Sequence, residues 1–385
     1  MKVYLDNAAT TTLSRTVFQA MEPYLFEHFG NPSSAHQQGR AARSAIETSR
    51  ATIASLLNTT PDTIIFTSGG TEADNLAIIS AIRAHGIKLA ITSNLEHHAV
   101  LNTLKQLEKA GEIQLLYLKH DARGNISVAQ LERLLEANDK AFVSLMHGNN
   151  EIGNLNDIHQ FAEVCKSYGA IFHSDTVQSI YQYQYDTQLL KADFLVGSAH
   201  KFHGPKGVGF LYARNPEIIR PLINGGAQER GLRSGTENVS GIVGLAEALN
   251  LAQSNLQHHQ QHVSNLKEKM INDLISKIPG IKFNGNSGNK RLSLPSVLSV
   301  SIPTADNGQS PLSYLDQHQI YASGGSACSS KSVSHVLNAI GTDSSQHTIR
   351  FSFSTLTTAE EIEYAVDKLS GLFVKSALKE VHVMC

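Results

Sequence analysis

Seven short apolar runs, separated by helix-length segments, constrain this chain more than any other feature. They read TIIFTS (63–68), KLAITS (88–93), QLLYLK (114–119), AFVSLMH (141–147), IFHSD (171–175), DFLVGS (193–198) and GVGFLY (207–212). Each has 5 to 7 residues and is bounded by polar residues or glycine, the pattern of strands buried on both faces. Segments such as EADNLAIISAIRAHG and IHQFAEVCKSYG lie between them with helical length and patterning. Strand and helix alternating in this order predict an α/β fold with a mostly parallel sheet. Upstream, Ile46, Ile53, Leu56 and Leu57 fall on one face of a further helix.

Beyond residue 247 the character changes. The run ALNLAQSNLQHHQQHVSNLKEKMINDL predicts one long amphipathic helix, with Leu251, Val263, Leu266, Met270 and Leu274 facing inward. The loop NGNSGN follows, then VLSVSI (297–302) and TIRFSFS (348–354), the strands of a smaller α+β unit. A length of 385 residues fits two domains, or one large domain and a smaller partner. His258, His259 and His262 contain one pair at i, i+4 spacing, but no third ligand is signalled. Their Gln- and Asn-rich surroundings read as a solvated helix face, and no metal site is expected.

Composition narrows the function. Hydrophobic residues make up 41% and charged residues 17%, enough for a folded core. The net charge of −2 comes with no basic stripe or tail, which argues against nucleic acid as the main partner. Asp6 and Asn7 interrupt the first apolar run, so no signal peptide is expected. No stretch approaches the roughly 18 apolar residues of a membrane span. Cys165, Cys328 and Cys385 are sparse and unpaired in spacing, unlike a disulfide framework or a zinc site, so a reducing, cytoplasmic setting is expected.

Polar residues gather just after the strands, the edge where doubly wound α/β proteins bind ligands. Gly69, Gly70 and Thr71 open a helix after TIIFTS; free N–H groups there suit a phosphate, and Thr71 would otherwise be only an N-cap. Asp175 and Lys201 follow two strand runs, so they form either a salt bridge or an acid and an amine flanking one small ring. Ser198 and His200 beside Lys201 could hold an anion. His97 and His98 follow another strand end, with only one expected to point into a site. Asn149 and Asn150 follow a fourth, either as ligands or as turn formers. Arg350 lies in a strand, as a surface residue or a carboxylate anchor. In ASGGSACSS (322–330), Cys328 sits among serines and glycines with no apolar neighbours to bury it, unlike an ordinary core cysteine.

Taken together, these residues resemble the cysteine desulfurases, pyridoxal-phosphate enzymes of the class V aminotransferase group. The shared motifs run in order: YLDNAATT, FGNPSSAH (29–36), FTSGGTEADN (66–75), EHHAV (96–100), MHGNNEIG (146–153), HSDTVQS (173–179), SAHKFHGPKGVGFLY (198–212), ERGLRSGTEN (229–238) and GSACSS (325–330). The short GSAC form is similar to the subgroup whose cysteine rides on a mobile loop, here about 322–333. The resemblance implies a fold-type I transferase with a seven-stranded, mostly parallel sheet. It places residues 15–256 in a large cofactor-binding domain, and residues 1–14 with 257–385 in a small one.

The resemblance also implies roles. Lys201 would bond covalently to pyridoxal 5'-phosphate, Asp175 would pair with its ring nitrogen, and His97 would stack on its face. Asn150 and Gln178 match contacts to the ring hydroxyl. Gly70, Thr71, Ser198 and His200 would hold the phosphate, joined by Thr236 from a second copy in a homodimer. Arg350, with Asn150, would grip the carboxylate of L-cysteine. Lys201 would take the Cα proton and His97 would exchange one with the substrate thiol. Cys328 would accept the sulfur as a persulfide, and L-alanine would leave. The sulfur would pass to a protein acceptor in iron–sulfur cluster assembly or thiolation, with no direct part for membrane or nucleic acid. Alternatives are a selenocysteine lyase-like enzyme and a non-catalytic sulfur relay or scaffold. FSFSTL follows Arg350 where many members carry Gly-Arg-Phe, so Ser354 and Thr355 stand without a second arginine, and Ala199 replaces a common glycine. The run from Cys328 to SHVL (334–337) is slightly short, and KEVHVMC lacks the longer tail that housekeeping members use to dock the scaffold.

Overall fold

The computed structural model describes residues 1–138, 140–304, 308–324, 334–343 and 345–381, with side chains described to residue 373. Twelve strands are present among them. They are β1 (Val3–Tyr4), β2 (Ile64–Thr67), β3 (Leu89–Ser93), β4 (Gln114–Leu118), β5 (Ala141–Ser144) and β6 (Ile171–Ser174). β7 (Phe194–Ser198), β8 (Gly209–Ala213), β9 (Lys282–Phe283), β10 (Val297–Ile302), β11 (Ile320–Tyr321) and β12 (His347–Ser352) complete the set.

The seven apolar runs form one sheet in the order β2-β8-β7-β6-β5-β3-β4. Only β8 runs against its neighbours; β7-β6-β5-β3-β4 pair parallel, and β2, antiparallel to β8, points the same way as they do. Every residue of β2, β3, β5, β7 and β8 is buried, because helices cover both faces. The edge strand β4 is only partly buried, with Gln114 and Tyr117 exposed. The sequence expectation of a mostly parallel α/β sheet therefore holds. Its consequence is that the segments after β2, β3, β5, β6 and β7 all emerge at one edge.

A second apolar core gathers β10, β12 and helix Leu256–Lys277, and it also takes in Val3 and Leu5 from the N-terminus. β10 is the central strand of an antiparallel set of three, with β12 and β9 beside it. The single long helix expected around residues 247–274 is two helices, Val239–Ser254 and Leu256–Lys277, broken at Asn255. Leu251 packs against the core of the seven-stranded sheet, whereas Val263, Leu266, Met270 and Leu274 serve the other core. One straight rod could not reach both. Among the described residues no helix is long and apolar enough to cross a membrane.

Lys267 is an unusual member of this second core. Its side chain is 4% exposed, and among the described residues Nζ donates to Ser293 Oγ and Leu294 O, each at 2.8 Å. Burial pulls its pKa down to about 7. The unfolded chain therefore binds this proton up to about pH 10.4, while the folded chain releases it above about pH 7. Folding bears no such penalty above the unfolded value; the penalty grows as pH falls through that window and is complete below it. Lys267→Met is expected to gain stability relative to the parent as pH drops from 10 to 7. The check is the difference in melting temperature at each pH; a difference that does not vary with pH would refute it.

Candidate active site

The sheet edge assembles a cavity of about 220 Å³. Its wall contains Gly70, Thr71, His97, Asn150, Asp175, Gln178, Ser198, His200, Lys201 and Arg350. Ser198 ends β7, Arg350 reaches in from β12, and the others follow strands of the large sheet. Asp175 follows β6, and Lys201 ends a short 3-10 turn after β7, so pairing of β6 with β7 brings the acid and the amine to one place. Lys201 Nζ donates to the carbonyls of Ala8 (2.7 Å) and Ala9 (2.9 Å) on the N-terminal segment.

Each of the other side chains is held by its backbone surroundings. Asp175 Oδ1 accepts the Val177 N–H at 2.9 Å, and Gln178 Nε2 donates to Ala8 O at 2.9 Å. His97 caps helix His98–Lys109: its Nδ1 accepts the Ala99 N–H at 3.1 Å, which leaves the proton of the neutral ring on Nε2. Asn149 is structural, donating to Leu95 O and accepting from Glu151 and Ile152 N–H, whereas Asn150 lines the cavity. Arg350 is 1% exposed and donates to Asp6 Oδ1 (2.8 Å) and Asn150 O (2.9 Å); its Nε has no partner among the described residues.

One end of the cavity is an anion cradle. Helix Gly70–His85 begins there, with Gly69 rather than Thr71 at the N-cap position, because the extended chain turns at the two glycines. A Cβ on Gly70 would come within 2.7 Å of Val177 Cγ2, so only glycine lets the helix start so close to the segment after β6. Ser198 and His200 close the cradle. Burial, with the charges of Lys201 and Lys206, lowers His200 to about 4, which makes it a neutral donor. Glu72 also borders the cradle, but Arg233 binds it at 2.8 and 3.2 Å and removes its repulsion for an anion.

These residues fit pyridoxal 5'-phosphate. The donor set offers free helix N–H groups and hydroxyls at one end, a carboxylate and a histidine in the middle, and a primary amine. Gln178 Oε1 is buried without a partner among the described residues, as an acceptor awaiting a donor would be. A larger cavity of about 590 Å³ lies behind Lys201 against Leu251, Val263 and Phe353; no carboxylate lines it, so the chemistry belongs to the smaller one.

Two expected site residues are not in this group. Thr236 is exposed and does not line the cavity. Cys328, with most of the loop 322–333, lies outside the described residues. Conversely, sequence reasoning passed over Asp74 and Glu96, both buried at the site, and Asp6, the partner of Arg350. Asp74 and Glu96 stand in the motifs FTSGGTEADN and EHHAV, but an acid near a helix start defaults to a solvated reading. Burial drives both carboxyls well above the usual range, aided in each by the charge of Asp175; Glu96 also accepts the Met146 N–H, which acts in the opposite sense. Cys165 is buried in helix Ile158–Ser167, and burial pushes its thiol far up.

Known proteins match this architecture. The aminotransferase class-V family matches residues 3–365, and the chain belongs to that family. It is 42% identical over 381 residues to a cysteine desulfurase IscS of Dictyoglomus turgidum, covering 97% of this chain and 95% of the relative. Among solved structures, a NifS-like protein superposes with a TM-score of 0.88 at 36% identity, covering 97% of this chain and all of the other. A second, SspA in complex with cysteine, gives a TM-score of 0.80 at 32% identity over 93% of this chain and all of that one.

Proposed function

We propose that this chain is a pyridoxal-phosphate-dependent cysteine desulfurase that converts L-cysteine to L-alanine and carries the released sulfur on Cys328. The observation that carries the reading is the convergence of Lys201, Asp175, His97 and Arg350 on one small cavity beside a helix N-terminus. When bound there, the cofactor supplies an electron sink for the pair left when the substrate's Cα–H bond breaks. Asp175 offers the negative charge that faces the ring nitrogen. Arg350, whose Nε has no partner among the described residues, offers its guanidinium to the substrate carboxylate, while Asp6 and the Asn150 carbonyl fix its plane. Lys201, held in the cavity wall by the carbonyls of Ala8 and Ala9, takes the Cα proton through its unprotonated amine. His97, with its proton on Nε2, exchanges a proton with the substrate sulfur. The Cys328 thiolate then attacks that sulfur: an S–S bond forms, the C–S bond breaks, and the electron pair remains with the carbon that becomes alanine.

The same reading makes the protein a cytoplasmic homodimer in which Thr236 of one copy completes the phosphate cradle of the other. The exposed position of Thr236 and the outward-facing Leu25, Phe26 and Phe29 support it. The final acceptor is a protein of iron–sulfur cluster assembly or thiolation.

A single-turnover reaction tests the proposal. L-Cysteine should give alanine together with one added sulfur on Cys328, found by intact and peptide mass. The Cys328→Ala variant should bind cofactor but form no persulfide. Alanine released equally fast by that variant would point to a lyase with another sulfur exit, and no alanine from the parent protein would sink the enzymatic reading.

A further inference from the structure

Asp74 is an acid in the cavity wall with no task in the chemistry above. It lies on helix Gly70–His85, is 1% exposed, and has one carboxyl oxygen within 4.8 Å of ligand atoms of both His97 and Asp175. Asp74 Oδ1 faces His173 Nε2 at 3.3 Å, short of hydrogen-bond alignment, and neither atom has a hydrogen-bond partner among the described residues. The other nitrogen, His173 Nδ1, meets Ser144 Oγ at 2.8 Å. His173 and Ser144 are fully buried at the ends of β6 and β5. A chain of polar groups thus runs Ser144, His173, Asp74, and ends beside Asp175.

Two carboxylates so close in a buried site cannot both ionise without strong repulsion. Asp175 is the better placed of the two to carry the charge, because its Oδ1 accepts a backbone N–H, whereas Asp74 Oδ1 has only the His173 nitrogen before it. The charged and titratable groups around Asp74 are Asp175, Glu96, His97 and His173, with Lys201, His200 and Arg350 elsewhere in the cavity wall. Burial raises the Asp74 carboxyl well above its ordinary range, with Asp175 and Glu96 adding to the effect, and burial lowers His173 to about 3.

We propose that Asp74 is a positioning residue: as a neutral carboxylic acid it directs its proton to His173 Nε2 and leaves Asp175 as the single carboxylate presented to the cofactor's ring nitrogen. His173, neutral, then carries its own proton on Nδ1 and donates it to Ser144 Oγ, so the whole chain has one hydrogen-bond direction. The proposal rests on the cofactor reading above. No covalent change is involved, and the proton on Asp74 stays in place through turnover.

The holoenzyme gives two readouts. Infrared spectroscopy at neutral pH should show a carbonyl-stretch component from the protonated Asp74 acid, and Asp74→Asn should remove that component. Glu96→Gln, which removes a second acid raised by burial, should leave the Asp74 component in place, as Asp193, a third such acid, does not change between the variants. The second readout is the bound cofactor's visible absorption across pH, together with its dissociation constant. Asp74→Ala should weaken cofactor binding about tenfold, which corresponds to about 1.4 kcal/mol, and shift the pH midpoint of the spectrum. Asp74→Asn, a neutral group of the same shape, should restore most of both. An Asp74→Asn variant that keeps the infrared band, or one as impaired as Asp74→Ala, would overturn the proposal. A parent protein that takes up no pyridoxal phosphate would overturn the cofactor reading itself, and that result is distinct because it does not depend on the variants.

Discussion

Lys201→Ala is expected to lower turnover of L-cysteine by about four orders of magnitude, the upper end of what a positioned acid–base group contributes. The amine lies where two carbonyls of the N-terminal segment hold it, between the acid at the end of β6 and the arginine of β12. Arg350 cannot act as a base at working pH, and the His97 imidazole is committed through Nδ1 to the Ala99 N–H. The variant should still fold, since the lost contacts include two hydrogen bonds to carbonyls, each of about 1 kcal/mol and somewhat more for a charged donor. Rapid-quench measurement of alanine, with cofactor uptake followed by absorbance, checks this. Partial recovery by a small added amine would identify the missing group as the base, whereas activity within tenfold of the parent would remove Lys201 from the chemistry.

The second large effect concerns stability. Arg50 is 1% exposed and makes a two-pronged contact with Glu229, 2% exposed, at 2.7 Å for each pair of atoms. Burial alone would pull the guanidinium down, but the hydrogen bonds and charge of Glu229, with help from Glu47, hold it raised. Glu229 also accepts the Phe66 N–H of β2. Glu229 and the next residue, Arg230, sit in the left-handed region with φ of 46° and 58°, a conformation that non-glycine residues hold only under constraint. Arg50→Met would leave the Glu229 carboxylate buried without its partner and should destabilise the fold by about 3–5 kcal/mol. Denaturant unfolding measures this. The double variant Arg50→Met with Glu229→Gln should recover part of the loss, because the stranded charge is gone; a double variant no more stable than the single one would contradict the account. Under the proposed homodimer, loosening this turn should also weaken cofactor binding, since Thr236 lies a few residues further along the same segment.

How much of this was legible beforehand depends on the residue. The strand runs were readable because burial on both faces requires unbroken apolar residues, and only the outermost, β4, departs from that pattern. The break at Asn255 was not readable. The apolar spacing is continuous across it, and what divides the two helices is that Leu251 and Val263 belong to different cores. Thr71 was open between a phosphate contact and a helix cap; the cap is Gly69, two residues earlier, which leaves Thr71 inside the first turn and in the cavity wall. Asp6 was invisible for a related reason. Its partner Arg350 is 344 residues away, and only the joining of the N-terminal segment to β12 brings the two within 2.8 Å.

By itself the sequence determined the residue types at the sheet edge and the order in which they arrive, because side-chain chemistry and the period of apolar residues are local properties. The tertiary structure alone decided which of those polar groups lose their water. The acids Asp74, Glu96 and Asp175 look alike in the chain, and each could have been a solvated helix or turn residue. Packing of helix Gly70–His85 and β6 around one cavity buries all three, and that loss of water drives the carboxyls of Asp74 and Glu96 toward the neutral form. Desolvation depends on everything packed nearby, and so it is decided only when distant parts of the chain meet.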